Sequence, residues 1–169
     1  FEQGPEHADR IIISSPVLSH SKMQQLRDVE KEREGYGIVD IDLNYAEAEG
    51  LQAAIARICE EAAQAVRDGK TLIVLTDKNF REGFLPANSA LATGAVHHHL
   101  IKTGLRTDAN ILVETGFARD PHQFAVLLGF GATAVYPYLA YDVINDLVAK
   151  GELLGDPIHA QSNFRKGIE

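Results

Sequence analysis

The stretch KTLIVLTD, residues 70–77, decides the fold of this chain. It is an uninterrupted apolar run between polar ends, and such a run without alternation is typical of a strand that is covered on both faces. Two further runs of this kind follow it, ANILVETG at 109–116 and ATAVYPY at 132–138. The sequence therefore predicts three buried strands of one sheet.

The segments before, between and after these runs have helical spacing of their apolar residues. They are LSHSKMQQLRDVEKE, AEAEGLQAAIARICEEAAQAVRDG, NSALATGAVHHHLIKTG, DPHQFAVLLGFG and AYDVINDLVAKG. Ser19 and Asp120 stand where N-caps are expected, and Gly69 stands where a C-terminal cap is expected. Between the first two helices, YGIVDIDLNY at 36–45 alternates, which predicts a half-exposed strand.

Alternating strands and helices predict an α/β fold in which right-handed crossovers join the strands of a mainly parallel sheet. An open sheet and part of a β/α barrel both agree with this pattern. Residues 1–169 are expected to form a single domain. The chain begins with Phe1, and its last residues, QSNFRKGIE, are typical of a helix without a stop signal. We therefore expect it to be a piece of a longer polypeptide.

Composition and charge exclude several classes of protein. The chain has 169 residues and a formal net charge of −8. Nucleic-acid binding is not expected, because affinity for a phosphate backbone comes from clustered lysines and arginines. No apolar run is long enough to span a bilayer, so no membrane partner is expected. The only cysteine, Cys59, excludes an internal disulfide framework and agrees with a cytoplasmic location.

Three consecutive histidines, His97, His98 and His99, lie within the third predicted helix. Successive helical residues point about 100° apart, so the three side chains cannot converge on one ion. We expect one of them to pack inward with a hydrogen bond and the others to lie at the surface. No metal site is predicted, and a histidine-based metal module is an alternative that this geometry disfavours.

Two glycine patterns look like phosphate-binding motifs. They are Gly69-Lys70-Thr71 and the pair Gly129 and Gly131. Both follow a helix and precede a strand, which is the reverse of the order that places a phosphate at a helix N-terminus. We therefore expect them to end helices, and no cofactor-binding residue is predicted.

The carboxyl ends of the predicted strands are the places to look for function, because ligands of parallel α/β sheets bind there. The candidate residues at this edge are Asp77, Lys78, Glu114, Arg119 and Tyr138. Asp40 and Asp42, which share one face of the alternating strand, are expected to be solvated.

One long segment carries a family resemblance. The run ANILVETGFARDPHQFAVLLGFGATAVYPYLAYD, together with TLIVLTD and AVHHHLIKTGLRTD, resembles the central domain of the glutamate synthase large subunit, of the bacterial NADPH-dependent type. The resemblance extends from SSPVLS through VDIDLNY to NFRKGIE. It implies a β/α scaffold that links a glutamine amidotransferase domain to an FMN-binding synthase domain with a related barrel topology.

The resemblance also implies a parent reaction for ammonia assimilation, in which glutamine and 2-oxoglutarate become two glutamates and ammonia moves through an internal tunnel. FMN and an iron–sulfur cluster then belong to other domains, and a small subunit supplies FAD and NADPH. This chain has one cysteine, whereas the family's 3Fe-4S cluster needs three. No catalytic, cofactor or metal residue is therefore expected here, and the five candidates above are expected to contact the neighbouring domains. The alternative is an autonomous β/α enzyme that binds a flavin or a phosphorylated substrate at the same edge.

Overall fold

The computed structural model describes residues 11–32 and 35–169, in which helices and strands alternate. In chain order the elements are α1 (His20–Glu32), β1 (Ile38–Asp42), β2 (Asn44–Ala46), α2 (Leu51–Arg67), β3 (Leu72–Thr76), β4 (Phe84–Pro86), α3 (Ser89–Lys102), β5 (Asn110–Glu114), α4 (Pro121–Gly129), β6 (Ala134–Tyr136), α5 (Tyr138–Ala149) and α6 (Pro157–Ile168). The three buried strands predicted from their apolar runs are confirmed as β3, β5 and β6, and the five predicted helices are confirmed as α1 to α5.

The main sheet has four parallel strands in the order β1-β3-β5-β6. Each strand therefore lies beside the strand that precedes it in this series, and the three crossovers contain α2, α3 and α4. In a β/α barrel each new strand is added on the same side of the previous one, as it is here. In a doubly wound sheet the order in which strands are added reverses at a switch point. The α/β fold is confirmed, and the sheet corresponds to part of a barrel.

Helices α2, α3 and α4 cover one face of the sheet, which we call the outer face. Its core is almost entirely aliphatic and includes Ile58, Ile73, Val96, Ile111 and Val113, all buried. The many alanines of α2 let this helix pack closely against α3. The outer face thus follows directly from the helical spacing in the sequence.

Helices α1 and α5 cover the opposite face, which we call the inner face because it would line the interior of a closed barrel. Leu26 of α1 and Tyr138 and Tyr141 of α5 pack there against Val74 and Leu112 of the sheet. Residues 16–18 extend the edge of the sheet beyond β6, since Val17 forms a parallel bridge with Val135 of that strand.

The alternating segment at 36–45 forms two short strands instead of one. The Asp42 carboxylate accepts hydrogen bonds from the backbone and side-chain amides of Asn44, at 2.9 and 2.7 Å, and the chain turns there. Beyond this turn β2 pairs antiparallel with β4, away from the main sheet. The sequence prediction of one strand was wrong because a local side-chain contact interrupts the alternation.

Helix ends follow the predicted capping rules. Asp120 accepts a hydrogen bond from the backbone N–H of Gln123, and Gly69 adopts a φ of +83° after α2. The final helix was predicted only from its last residues. It begins at Pro157, where Asp156 repeats the Asp-Pro pattern that starts α4. Among the described residues, no helix is long and apolar enough to cross a membrane.

Candidate interdomain site at the carboxyl edge of the sheet

The carboxyl ends of β3 and β5 bring Asp77 beside Thr115 and Gly116. The Asp77 carboxylate is fully buried, and it accepts hydrogen bonds from the Thr115 hydroxyl and from the Gly116 N–H, the latter at 3.0 Å. A buried carboxylate without donors would be strongly destabilising, and these two bonds offset that cost. The residue therefore ties the ends of two neighbouring strands together, and its carboxylate is closed to solvent.

Tyr138, the first residue of α5, packs next to this carboxylate and is itself only 5% exposed. Its buried hydroxyl lies near the Asp77 carboxylate, but by geometry it makes no hydrogen bond with any residue that the structure describes. Burial, followed by the negative charge of Asp77, raises the pKa of Tyr138 above the ordinary value for a phenol. Gly116 leaves room for this packing, because a Cβ atom at that position would crowd the tyrosine hydroxyl oxygen at a distance of 3.2 Å.

Glu114, at the end of β5, is the second buried carboxylate of this edge, and it is 4% exposed. It accepts hydrogen bonds from the Thr76 hydroxyl at 2.8 Å and from the guanidinium of Arg27 at 3.1 Å. Arg27 reaches from α1 and also binds both oxygens of Asp40, at 2.8 and 2.9 Å. Burial alone would lower the pKa of Arg27, but the two carboxylates outweigh it and raise that pKa. This ion-pair network holds α1 on the inner face.

Lys78 and Arg119 are the two exposed members of the predicted set. The Lys78 ammonium lies 3.9 Å from a Glu114 oxygen and 5.6 Å from the centre of the Tyr138 ring. Arg119 donates its backbone N–H to the side chain of Gln123 at 2.8 Å. Its guanidinium makes no ion pair within residues 11–32 and 35–169. The structure therefore brings four of the five predicted residues together and leaves Arg119 at the rim. Their contact with neighbouring domains stays a prediction.

Asp40 and Asp42 are accessible to solvent, as expected, with side chains that are 44% and 29% exposed, but both are also ion-paired. Asp40 is paired with Arg27, and Asp42 accepts a hydrogen bond from the Arg81 guanidinium at 2.8 Å as well as those from Asn44. Alternation along the strand indicated only which face carries the carboxylates. The arginines come from α1 and from the loop before β4, and no local pattern links them to these positions.

The histidines occupy three separate environments on α3. His97 accepts a hydrogen bond at Nδ1 from the Arg106 guanidinium at 2.9 Å, His98 is exposed, and His99 Nε2 lies 3.3 Å from a Glu60 oxygen. The prediction of one packed, hydrogen-bonded histidine is confirmed by His97. Within the described part of the chain, no group of three potential ligands is arranged to hold a metal ion.

Cys59 lies on the buried side of α2 and is 7% exposed. Burial, followed by the charge of Glu60, raises the pKa of its thiol. The thiolate is the reactive form of cysteine, so this side chain is a poor nucleophile. It serves as a small apolar core residue.

The chain matches known proteins over its whole length. A family model described as the glutamate synthase central domain matches residues 1–169. The NADPH-dependent large chain from Bacillus subtilis is 35% identical and the alignment covers 94% of this chain, whereas NADH-dependent glutamate synthase from Saccharomyces cerevisiae is 31% identical over 95% of it. The ferredoxin-dependent enzyme 1 from Arabidopsis thaliana is 40% identical over 84% of it.

The chain spans only about a tenth of the length of the relatives that it matches. The aligned segment makes up 10% of the Bacillus protein, 8% of the yeast protein and 9% of the Arabidopsis protein. The chain therefore belongs to the family of glutamate synthase central domains.

Proposed function

We propose that this chain is a non-catalytic connecting domain. It holds the glutamine amidotransferase domain and the FMN-binding synthase domain of a glutamate synthase large subunit in a fixed relative position. The observation that carries this proposal is that the carboxylates at the carboxyl edge of the sheet are buried and hydrogen-bonded. Asp77 and Glu114, the carboxylates at the place where this fold binds ligands, are buried and engaged by internal donors. Neither is available to bind a substrate or to transfer a proton to one.

The turn after β5 does not fit the phosphate of a flavin. A phosphate at such an edge is held by free backbone N–H groups. Here the Gly116 N–H is donated to Asp77, and the Phe117 N–H is donated to the Thr115 hydroxyl at 3.1 Å. One cysteine also cannot supply the ligands of an iron–sulfur cluster. As part of the same proposal, FMN and the clusters belong to other domains of the parent protein, and FAD and NADPH belong to a small subunit, in a cytoplasmic holoenzyme that forms glutamate.

Titration of FMN into the purified chain, followed by flavin fluorescence, tests this proposal. No saturable quenching is expected, and the FMN-binding domain of the same parent protein serves as the positive control. Stoichiometric quenching would instead establish the autonomous flavin enzyme. Glutaminase and glutamate-forming activities are measured in the same preparation, and detectable glutamate formation by the chain alone would also contradict the proposal.

A further inference from the structure

Exposed apolar side chains collect at the carboxyl edge of the sheet. Phe80 follows β3 and is 61% exposed, Phe117 follows β5 and is 42% exposed, and Leu139 at the start of α5 is 41% exposed. Val143 lies one helical turn beyond Leu139 on the same side of α5 and is 50% exposed. We call these four residues the carboxyl-edge patch.

The loops that carry the patch are in contact with one another. A Cβ at Gly116, the residue before Phe117, would lie 3.2 Å from a Leu139 methyl carbon, so the β5–α4 loop touches the start of α5. Lys78, two residues before Phe80, lies over the Tyr138 ring. Single exposed apolar residues are ordinary in proteins, but a group that spans three neighbouring loops marks an interaction surface.

The layer beneath the patch indicates which kind of interaction this is. An enzyme of this fold has polar groups open to solvent at the carboxyl edge. Here Asp77, Thr115 and Glu114 are at most 4% exposed, and the apolar side chains lie outside them. Aromatic residues above a closed polar layer suit a protein surface better than a small polar ligand.

Tethering, rather than charge, favours one kind of partner. Charges of both signs flank the patch, because Glu82, Asp120 and Asp142 are exposed in the same segments as Lys78 and Arg119. A tethered domain has an effective concentration on the order of millimolar, which favours it over a free second copy of this chain. The relatives of this chain are about ten times longer than the aligned segment, so tethered domains are expected.

We propose that the carboxyl-edge patch is the docking face for another domain of the same polypeptide, whose matching surface is apolar. This inference rests on the proposed connecting function and assigns it to one face. The opposite end of α5 and the start of α6, where Ile158 is 78% exposed, are not part of the docking face.

Site-specific photo-cross-linking in the complete parent polypeptide tests the assignment. The photoreactive residue p-benzoyl-phenylalanine replaces Phe117 in one variant, and Ile158 in a matched control. Both positions are exposed, and the first replacement keeps an aromatic ring, so both variants are expected to fold. After irradiation, cross-linked peptides are identified by mass spectrometry.

The probe at Phe117 is expected to cross-link to a segment of the same polypeptide outside these 169 residues. No such cross-link, or a cross-link only to a second copy of this chain, would overturn the docking face. If the Ile158 probe then reached another domain, the connecting function would stand and only the surface would be wrong. If neither probe reached another domain, the connecting function would fail as well.

Discussion

The two faces of the main sheet are built in different ways. On the outer face, each of α2, α3 and α4 lies close in the chain to a strand that it covers, and aliphatic side chains fill the contact. On the inner face, α1 and α5 arrive from opposite ends of the chain and bring an arginine and buried tyrosines. The comparison shows that a local pattern can specify one core of a domain while the other depends on distant polar contacts.

The largest expected effect compares two neighbouring residues of β5. Ile111 points to the outer face and is 0% exposed, whereas Leu112 points to the inner face and borders a cavity of about 350 Å³. Ile111→Ala should lower the free energy of unfolding by about 4 kcal/mol, and Leu112→Ala by about 2 kcal/mol, because a site that already borders open space loses fewer contacts. Urea denaturation measures both.

The exposed Ile101→Ala is the control for that pair, with an expected change of less than about 0.5 kcal/mol. A larger loss for Leu112→Ala than for Ile111→Ala would mean that the inner face is the better packed of the two.

The second comparison concerns the ion pair that anchors α1. A double-mutant cycle with Arg27→Met and Glu114→Gln should give a coupling energy of about 1–2 kcal/mol, because Glu114 is buried and the two side chains are in contact. Lys31 and Asp28, an exposed pair on the same helix, should show no measurable coupling in the same experiment. Equal coupling in both cycles would show that α1 is held by apolar contacts alone.

The third comparison uses two buried tyrosines of α5. The Tyr141 hydroxyl donates a buried hydrogen bond to the Leu18 carbonyl at 2.7 Å, whereas the Tyr138 hydroxyl has no partner among the described residues. Tyr141→Phe should destabilise the protein by about 1 kcal/mol, and Tyr138→Phe should be neutral or stabilising by up to about 1 kcal/mol. Thermal unfolding distinguishes them, and an equal loss for both would show that Tyr138 is hydrogen-bonded in the folded protein.

The smallest expected effect is a pH dependence on the outer side of the fold. Burial, followed by the charge of Arg106, lowers the pKa of His97 below the ordinary 6.5. Protonation then favours the unfolded chain, so the stability from this group is complete above pH 6.5 and is lost as the pH falls toward the folded-state pKa. Unfolding of wild type and His97→Asn at about pH 7.5 and about pH 5.5 measures it. If the wild type lost no more stability than the variant between these two pH values, the lowered pKa of His97 would be contradicted.

The sequence predicted almost all of the elements that form the outer face, but only part of the arrangement at the carboxyl edge. The buried strands, their covering helices and the Asp120 and Gly69 caps all depend on residues close together in the chain. The pairing of Arg27 with Glu114 joins residues 87 positions apart, and nothing in the spacing of either residue indicates the other. The sequence therefore indicated which residues follow the ends of the strands, but it did not indicate that the carboxylates there are buried.

Apolar periodicity and capping residues by themselves determined that this chain forms β/α units with a parallel sheet, because burial of a strand or helix face is a local property of the sequence. Long similarity to known proteins determined the family. Only the tertiary structure decided that α1 lies on the inner face, that Asp77 and Glu114 are closed to solvent, and that Phe80, Phe117 and Leu139 remain outside. These outcomes depend on which distant donors reach each carboxylate, since a charged group is buried only where its partners are already in place.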